Sequence, residues 1–172
     1  MPQAATHIII PLVIADIYRD YFAKKKFNIR YVLIAGLAGL LPDVDILIGW
    51  FINLFKYCDI SQLHRTFTHT LFFPLVFFLL FLLAKTSKSK FLRKQKLKLD
   101  YIFLAIAFGI FTHIALDAVF SGPIQILPNI MFGYTLIPLD SFQGTFFAGL
   151  DAIILVIWLI HEELKHRISD YI

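Results

Sequence analysis

The sequence predicts an all-α fold: a polytopic membrane helical bundle of about four transmembrane helices plus a short N-terminal membrane or interfacial helix, in a single membrane-embedded domain over residues 1–172. Three observations predict it. Of the 172 residues 59% are hydrophobic and only 16% charged, whereas a soluble domain carries about a quarter charged. Mean hydropathy is +0.75, and nineteen Phe and seven Tyr accompany Gly and Pro inside apolar runs, which lipid tolerates better than water does. Four stretches also reach or approach the ~20 apolar residues that a bilayer crossing needs. A water-soluble monomer is thereby excluded. The lone Cys58 excludes an intrachain disulfide and a multi-cysteine zinc site.

The first segment, residues 7–21, reads Ile8-Ile9-Ile10-Pro11-Leu12-Val13-Ile14-Ala15 and turns polar at Asp16. It fits a short, interfacial or re-entrant helix as well as a full span. No basic residue precedes it, so it is not read as a cleaved signal peptide. The four candidate spans are residues 31–55, 70–84, 101–120 and 144–160. The second and fourth are slightly short, a mismatch that local thinning and snorkelling flanks absorb.

Between the second and third spans lies a basic loop, residues 85–98, with Lys85, Lys88, Lys90, Arg93, Lys94, Lys96 and Lys98. The positive-inside rule makes it cytoplasmic. If every segment crosses once, Lys24, Lys25, Lys26, Arg30, Lys165 and Arg167 share that side, with Arg19 at the inner end of the first segment. Only Lys56 and Arg65 remain outside, a division of fourteen against two. The loop reads as a solvated linker, and no nucleic-acid partner is expected from the net charge of +4. No internal repeat is visible, and Trp50 and Trp158 are assigned no functional role.

An ionisable group inside a span costs about 2.5–3.5 kcal/mol on insertion scales and asks for a partner or a function. Asp43 and Asp45 interrupt residues 31–55, His113 and Asp117 lie in residues 101–120, and Asp151 lies in residues 144–160. At a rise of ~1.5 Å per residue all of them fall in the outer half. His7 sits at the outer mouth of the first segment, and His64 and His69 lie in the outer loop or at the start of the second span. Asp and His took no part in the charge count, so their convergence points independently to one site.

His113 and Asp117, four apart, share a helical face. They suit two ligands of one zinc, iron or manganese ion, or equally a buried hydrogen-bonded pair. In Leu41-Pro42-Asp43-Val44-Asp45 the carboxylates, two apart, do not share a helical face. One would be a ligand and the other a helix cap or a partner to a ligand. His64-Arg65-Thr66-Phe67-Thr68-His69-Thr70 offers one histidine to a metal and one to substrate or to a ligand's partner. The Arg65 guanidinium suits a phosphate or carboxylate, or a salt bridge to Asp43 or Asp59. His161 and His166, beside Glu162 and Glu163, fall on the cytoplasmic side and read as a solvated helix end.

The ordered series Thr6-His7, Leu41 to Asp45, His64 to Thr70 and Thr112-His113 through Leu116-Asp117 resembles the YdjM-like family of inner-membrane metal-dependent hydrolases, also labelled LexA-binding. The resemblance runs from His7 to about Pro138. That family is similar to the superfamily of zinc-dependent phospholipases C and single-strand nucleases, which implies an all-helical fold and phosphoester hydrolysis by clustered zinc. It further implies ligation by His7, by Asp45 or Asp43, by His64, and by the His113 and Asp117 pair. The soluble members supply two more histidines and an acidic residue after that pair, but residues 118–160 here contain no histidine. One or two ions are therefore expected. Thr70 stands where the family motif has serine, and no residue speaks for LexA binding.

The expected function is a membrane-embedded metal-dependent hydrolase of phosphoesters, with lipid headgroups as one substrate class and membrane lipids as partners, its site at the outer membrane-water boundary. The expected metal ligands are His7, Asp45, His64, His113 and Asp117, for zinc first and manganese or iron as alternatives. Asp43 would be the general base, Arg65 the stabiliser of phosphate charge and His69 the acid for the leaving oxygen. The rival is a metal-binding or ion-transporting membrane protein without turnover. Transport needs polar access from both sides, and the inner halves of the spans read as nearly free of polar groups, which favours the enzyme. A third reading, in which Asp and His pairs only join helices, gives the loop residue His64 no work.

Overall fold

The computed structural model describes residues 4–24, 27–55, 68–85, 97–120, 122, 124–127, 130–132 and 144–166. His64, Arg65 and most of the basic loop lie outside the described residues. Helix α1 (Ala4–Ile17) runs into a π-helical turn (Tyr18–Phe22), followed by α2 (Ile29–Ala38), α3 (Val44–Asn53), α4 (Phe72–Ala84) and α5 (Leu99–Phe120). Strands β1 (Ile124–Leu127) and β2 (Ile130–Phe132) form an antiparallel hairpin, and α6 (Gly144–His166) follows. The expected helical bundle is present, with the short hairpin as an addition the sequence did not suggest. Among the described residues two helices, α5 and α6, are long and apolar enough to cross a membrane, while α2, α3 and α4 are shorter apolar helices.

Residues 31–55, expected to cross as one helix, are instead two ten-residue helices. Proline explains the break. Pro42 has no N–H to continue the helical ladder, and the backbone from Leu40 to Val44 uses i to i−3 bonds, among them Asp43 N to Leu40 O and Val44 N to Leu41 O. Each half is only about 15 Å long, half of a ~30 Å hydrocarbon core.

The bundle packs through α1, α2, α4 and α5, and small residues set how closely. A Cβ on Gly39 would overlap the His7 carbonyl oxygen, and one on Gly109 would overlap the Ala35 carbonyl oxygen and crowd Ala38. The approach of Gly39 has a cause in sequence: Pro11, four residues after His7, removes the N–H that would cover that carbonyl within α1.

Helix α6 buries a single stripe, Asp151, Trp158 and Glu162, at intervals of seven and four. Its other faces expose Ile153, Val156, Ile157 and Leu164. Polar residues inside and apolar ones outside reverse the pattern of a helix in water, where the apolar stripe faces the core, and suit one in lipid. Two bonds tie this stripe to α1. Thr6 Oγ1 donates to Asp151 Oδ2 at 2.7 Å, and Trp158 Nε1 donates to Asp16 Oδ2 at 3.1 Å. Both pairs advance together, so α1 and α6 run side by side in the same direction. Between them Leu12, Val32 and Trp158 form an apolar core.

Gly109→Ala is expected to lower stability by about 1–3 kcal/mol or more, the usual cost of overpacking. Gly149→Ala, whose Cβ would meet nothing within 4 Å, should leave stability unchanged or raise it by up to about 1 kcal/mol through helix propensity. Thermal unfolding of the two variants in detergent compares them directly.

Candidate metal centre

Four segments converge where α2 breaks: the start of α1 brings His7, the turn after α2 brings Asp43, the turn before α4 brings His69, and α5 brings His113 and Asp117. On α5 the residues Gly109, His113 and Asp117 recur every four positions, so one stripe carries first the close contact to α2 and then the two polar groups. His113 is fully buried, and His7, His69 and Asp117 are nearly so.

Hydrogen bonding fixes both central imidazoles. His113 Nδ1 lies 2.6 Å from the Gly39 carbonyl oxygen. That carbonyl is available because residue 42, three positions on, is proline, and Asp43 N is spent on Leu40 O. A carbonyl only accepts, so Nδ1 carries the proton and Nε2 presents a lone pair. At His69, Thr68 Oγ1 donates to Asp45 Oδ2 at 2.8 Å and lies 3.1 Å from His69 Nδ1. With its own hydrogen committed to Asp45, the Thr68 hydroxyl accepts from Nδ1, and His69 Nε2 is likewise a lone pair. The two Nε2 atoms face each other at 3.2 Å. Two lone pairs at that distance repel unless a cation or proton lies between them.

Carboxylates complete the figure. Asp43 Oδ1 is 3.5 Å from His69 Nε2 and 3.6 Å from His113 Nε2, and Asp117 Oδ2 is 3.6 Å from each. A tetrahedral zinc with bonds of about 2.0–2.1 Å has ligand-to-ligand edges of about 3.3–3.4 Å. Five distances among these atoms therefore lie within a few tenths of an ångström of that spacing, and the sets at this centre whose donor atoms all lie within 4.8 Å of one another are Asp43, His69 and His113, and His7, His113 and Asp117. Asp43 stands at the N-cap position of α3 yet makes no side-chain capping bond there. Its side chain is 25% exposed, against 0–3% for the other three, so it forms the wet edge of the cluster. Asp117 turns its other oxygen, Oδ1, to His7 Nε2 at 3.6 Å. The His7 ring stacks on His113 with centroids 3.8 Å apart, and its Nδ1 is buried without a hydrogen-bond partner among the described residues.

Of the residues singled out from sequence, the structure thus brings together His7, Asp43, His69, His113 and Asp117. Asp45 stands behind His69, reached through Thr68, with its Oδ2 3.7 Å from His69 Nδ1. Asp151 approaches α1 at Thr6 but is not among the facing groups. His64 and Arg65 lie outside the described residues. What sequence reasoning missed is the anchoring of the imidazoles by the Gly39 carbonyl and by Thr68, for which the only signal was Pro42 and the hydroxyl beside His69.

One expectation is corrected at the opposite end of α1 and α6. His161, His166 and Glu162 are not a solvated helix end: Glu162 is completely buried, and these residues pack against Asp16, Arg19 and Asp20. The polar stripe of α6 faces α1, which a count of charges per loop does not register. Asp20 Oδ2 receives Lys165 Nζ at 3.0 Å and His166 Nε2 at 2.9 Å. Burial alone would raise the Asp20 carboxyl, but His166 and Lys165 outweigh it and hold it down at about 2. The supposed scarcity of polar groups at this end, used above against transport, is corrected with it.

Comparison with known proteins gives one match. The family model described as YdjM inner membrane protein matches residues 1–167. No curated protein and no solved structure matches the chain. The hydrogen-bond pattern sets its own test: in metal-free protein, ¹⁵N chemical shifts of the His113 ring should report the Nδ1–H tautomer, with a non-protonated Nε2.

Proposed function

The chain belongs to the YdjM inner membrane protein family, and from that premise we propose that it is a membrane-embedded, metal-dependent phosphoester hydrolase. The observation that carries the reading is the facing pair of His69 and His113 Nε2 atoms, each with carboxylate oxygens of Asp43 and Asp117 at 3.5–3.6 Å. The buried Asp117 and the half-buried Asp43 bring to the imidazoles negative charge that a divalent cation would neutralise. His69, His113 and Asp117, the three buried donors, are the permanent ligands of this proposal, a two-histidine, one-carboxylate set of the kind that leaves a position open on catalytic zinc.

A divalent ion held by these residues would lower the pKa of a water to about 7 and polarise a phosphoryl oxygen. Asp43, on the wet edge, would accept the proton of the attacking water. Asp45 acts through Thr68 to hold the His69 ring, a role that stabilises the ligand rather than binds metal. His7, His113 and Asp117, whose donor atoms lie within 4.8 Å of one another, are the residues that would hold a second ion. Because His69 stands at ligand distance, it gives up the role of acid for the leaving oxygen in this reading, and Arg65 keeps the phosphate. The distant relationship to zinc-dependent phospholipases C and nucleases, implied by the motif order, supports phosphoester chemistry and, in a membrane, a lipid headgroup as substrate. The basic loop supports an orientation with the His113 end outside and the His161 end cytoplasmic.

The rival, movement of a cation across the membrane, gains the buried polar cluster at the His161 end. Leu12, Val32 and Trp158 lie between the two clusters as an apolar barrier, which favours hydrolysis.

Elemental analysis of detergent-purified protein, prepared without chelators, should find one to two equivalents of zinc, manganese or iron. His113→Ala/Asp117→Ala should lose the ion held at this centre, and phosphodiesterase turnover on phospholipid should vanish with it. Absence of metal from the wild type, persisting after metal addition, would overturn the hydrolase. Asp45→Asn should bind metal about 10–100-fold more weakly, the usual effect of losing a group that orients a ligand, a shift that competition with a chelating dye would read.

A further inference from the structure

We propose that the cluster at the His161 end is a second divalent-cation site, formed by Asp16, Asp20, His161 and Glu162 and suited to an ion of the magnesium and manganese class. One ligand atom from each of these residues lies within 4.8 Å of all the others. Three of the four are carboxylates and one is an imidazole, an oxygen-rich donor set of the kind that suits magnesium or manganese.

The neighbouring cations are already engaged. Arg19 Nη1 donates to Asp16 Oδ1 at 2.9 Å, and Lys165 and His166 both close on Asp20 Oδ2. Glu162 is left over. Its carboxylate is fully buried, and neither oxygen has a hydrogen-bond partner among the described residues. Arg19 Nη1 at 3.6 Å and His166 Nε2 at 3.8 Å from Oε1 attract it without a hydrogen bond. A buried carboxylate in this condition is costly unless something positive meets it. Asp16 and Asp20 lie alongside it, with Arg19 and Lys165 as the permanent cations nearest the three carboxylates.

His161 shows where an ion would enter. Its side chain is 29% exposed while Asp16, Asp20 and Glu162 are closed to solvent. Its Nδ1 lies 3.7 Å from Asp16 Oδ2, and its Nε2, which the Tyr21 hydroxyl meets at 3.4 Å, lies 3.8 Å from Asp20 Oδ2. Both ring nitrogens thus face carboxylates at separations too long for a hydrogen bond. The inference does not depend on the hydrolase, because the two clusters share no residue.

The test is Mn²⁺ titration of the detergent-solubilised full chain, with bound ion counted by electron paramagnetic resonance. Glu162→Gln should lose about one equivalent relative to wild type, and His161→Ala, at a partly exposed position, should weaken the same site at least about tenfold. His113→Ala/Asp117→Ala should retain this equivalent. Unchanged stoichiometry and affinity in both Glu162→Gln and His161→Ala would overturn the proposal and leave a proton as what Glu162 holds. His161→Ala keeps the test valid should Glu162→Gln fail to fold.

Discussion

The bond from His113 Nδ1 to the Gly39 carbonyl is the contact on which the centre of this protein depends. It requires three departures from an ordinary helical bundle at once. The helix must break so that a carbonyl is released, and Pro42 releases it. The residue bearing the carbonyl must be small enough to lie on α1, and Gly39 is, with its Cα against the His7 carbonyl that Pro11 uncovers. Helix α5 must also come close, and Gly109 one turn before His113 allows this. Each feature costs local helix stability. Together they turn one imidazole so that its lone pair meets those of His69 and two aspartates.

The rest of the molecule distributes polar groups by the same logic. In an apolar bundle an ionisable side chain must find its partner inside the protein, and here the partners gather at the two ends of α1. Asp151 and Glu162 on α6 mark those ends, with Leu12, Val32 and Trp158 between them. Helix α6 is consequently held by Thr6 and Asp16 more than by apolar contact, and its hydrophobic side chains are turned outward.

Much of the centre was legible in sequence. The spacing of His113 and Asp117 gave a shared face, the charge asymmetry gave each aspartate and histidine a common depth, and five of the residues so chosen now face one another. The helical architecture followed from composition. Less legible was anything set by backbone approach: a glycine's contact partner lies on another helix, and local pattern does not reach it. The break in residues 31–55 was signalled by Pro42 but hidden by unbroken hydrophobicity around it. The reading failed at the His161 end because charges counted by loop say which side a residue is on and not which face it takes. The stripe of Asp151, Trp158 and Glu162 at seven and four residues carried that information.

The pairing of Thr6 with Asp151, 145 positions apart, has a consequence for biogenesis. Helix α1 is made first and carries Thr6, His7, Asp16, Arg19 and Asp20, while the groups that answer it on α6 are made last. Until α6 is made, Thr6, Asp16 and Asp20 lack Asp151, Trp158, Lys165 and His166, whereas His7 already meets His113 and Asp117 on α5. A truncated product lacking α6 therefore leaves those three polar groups of the first segment without the partners that α6 supplies.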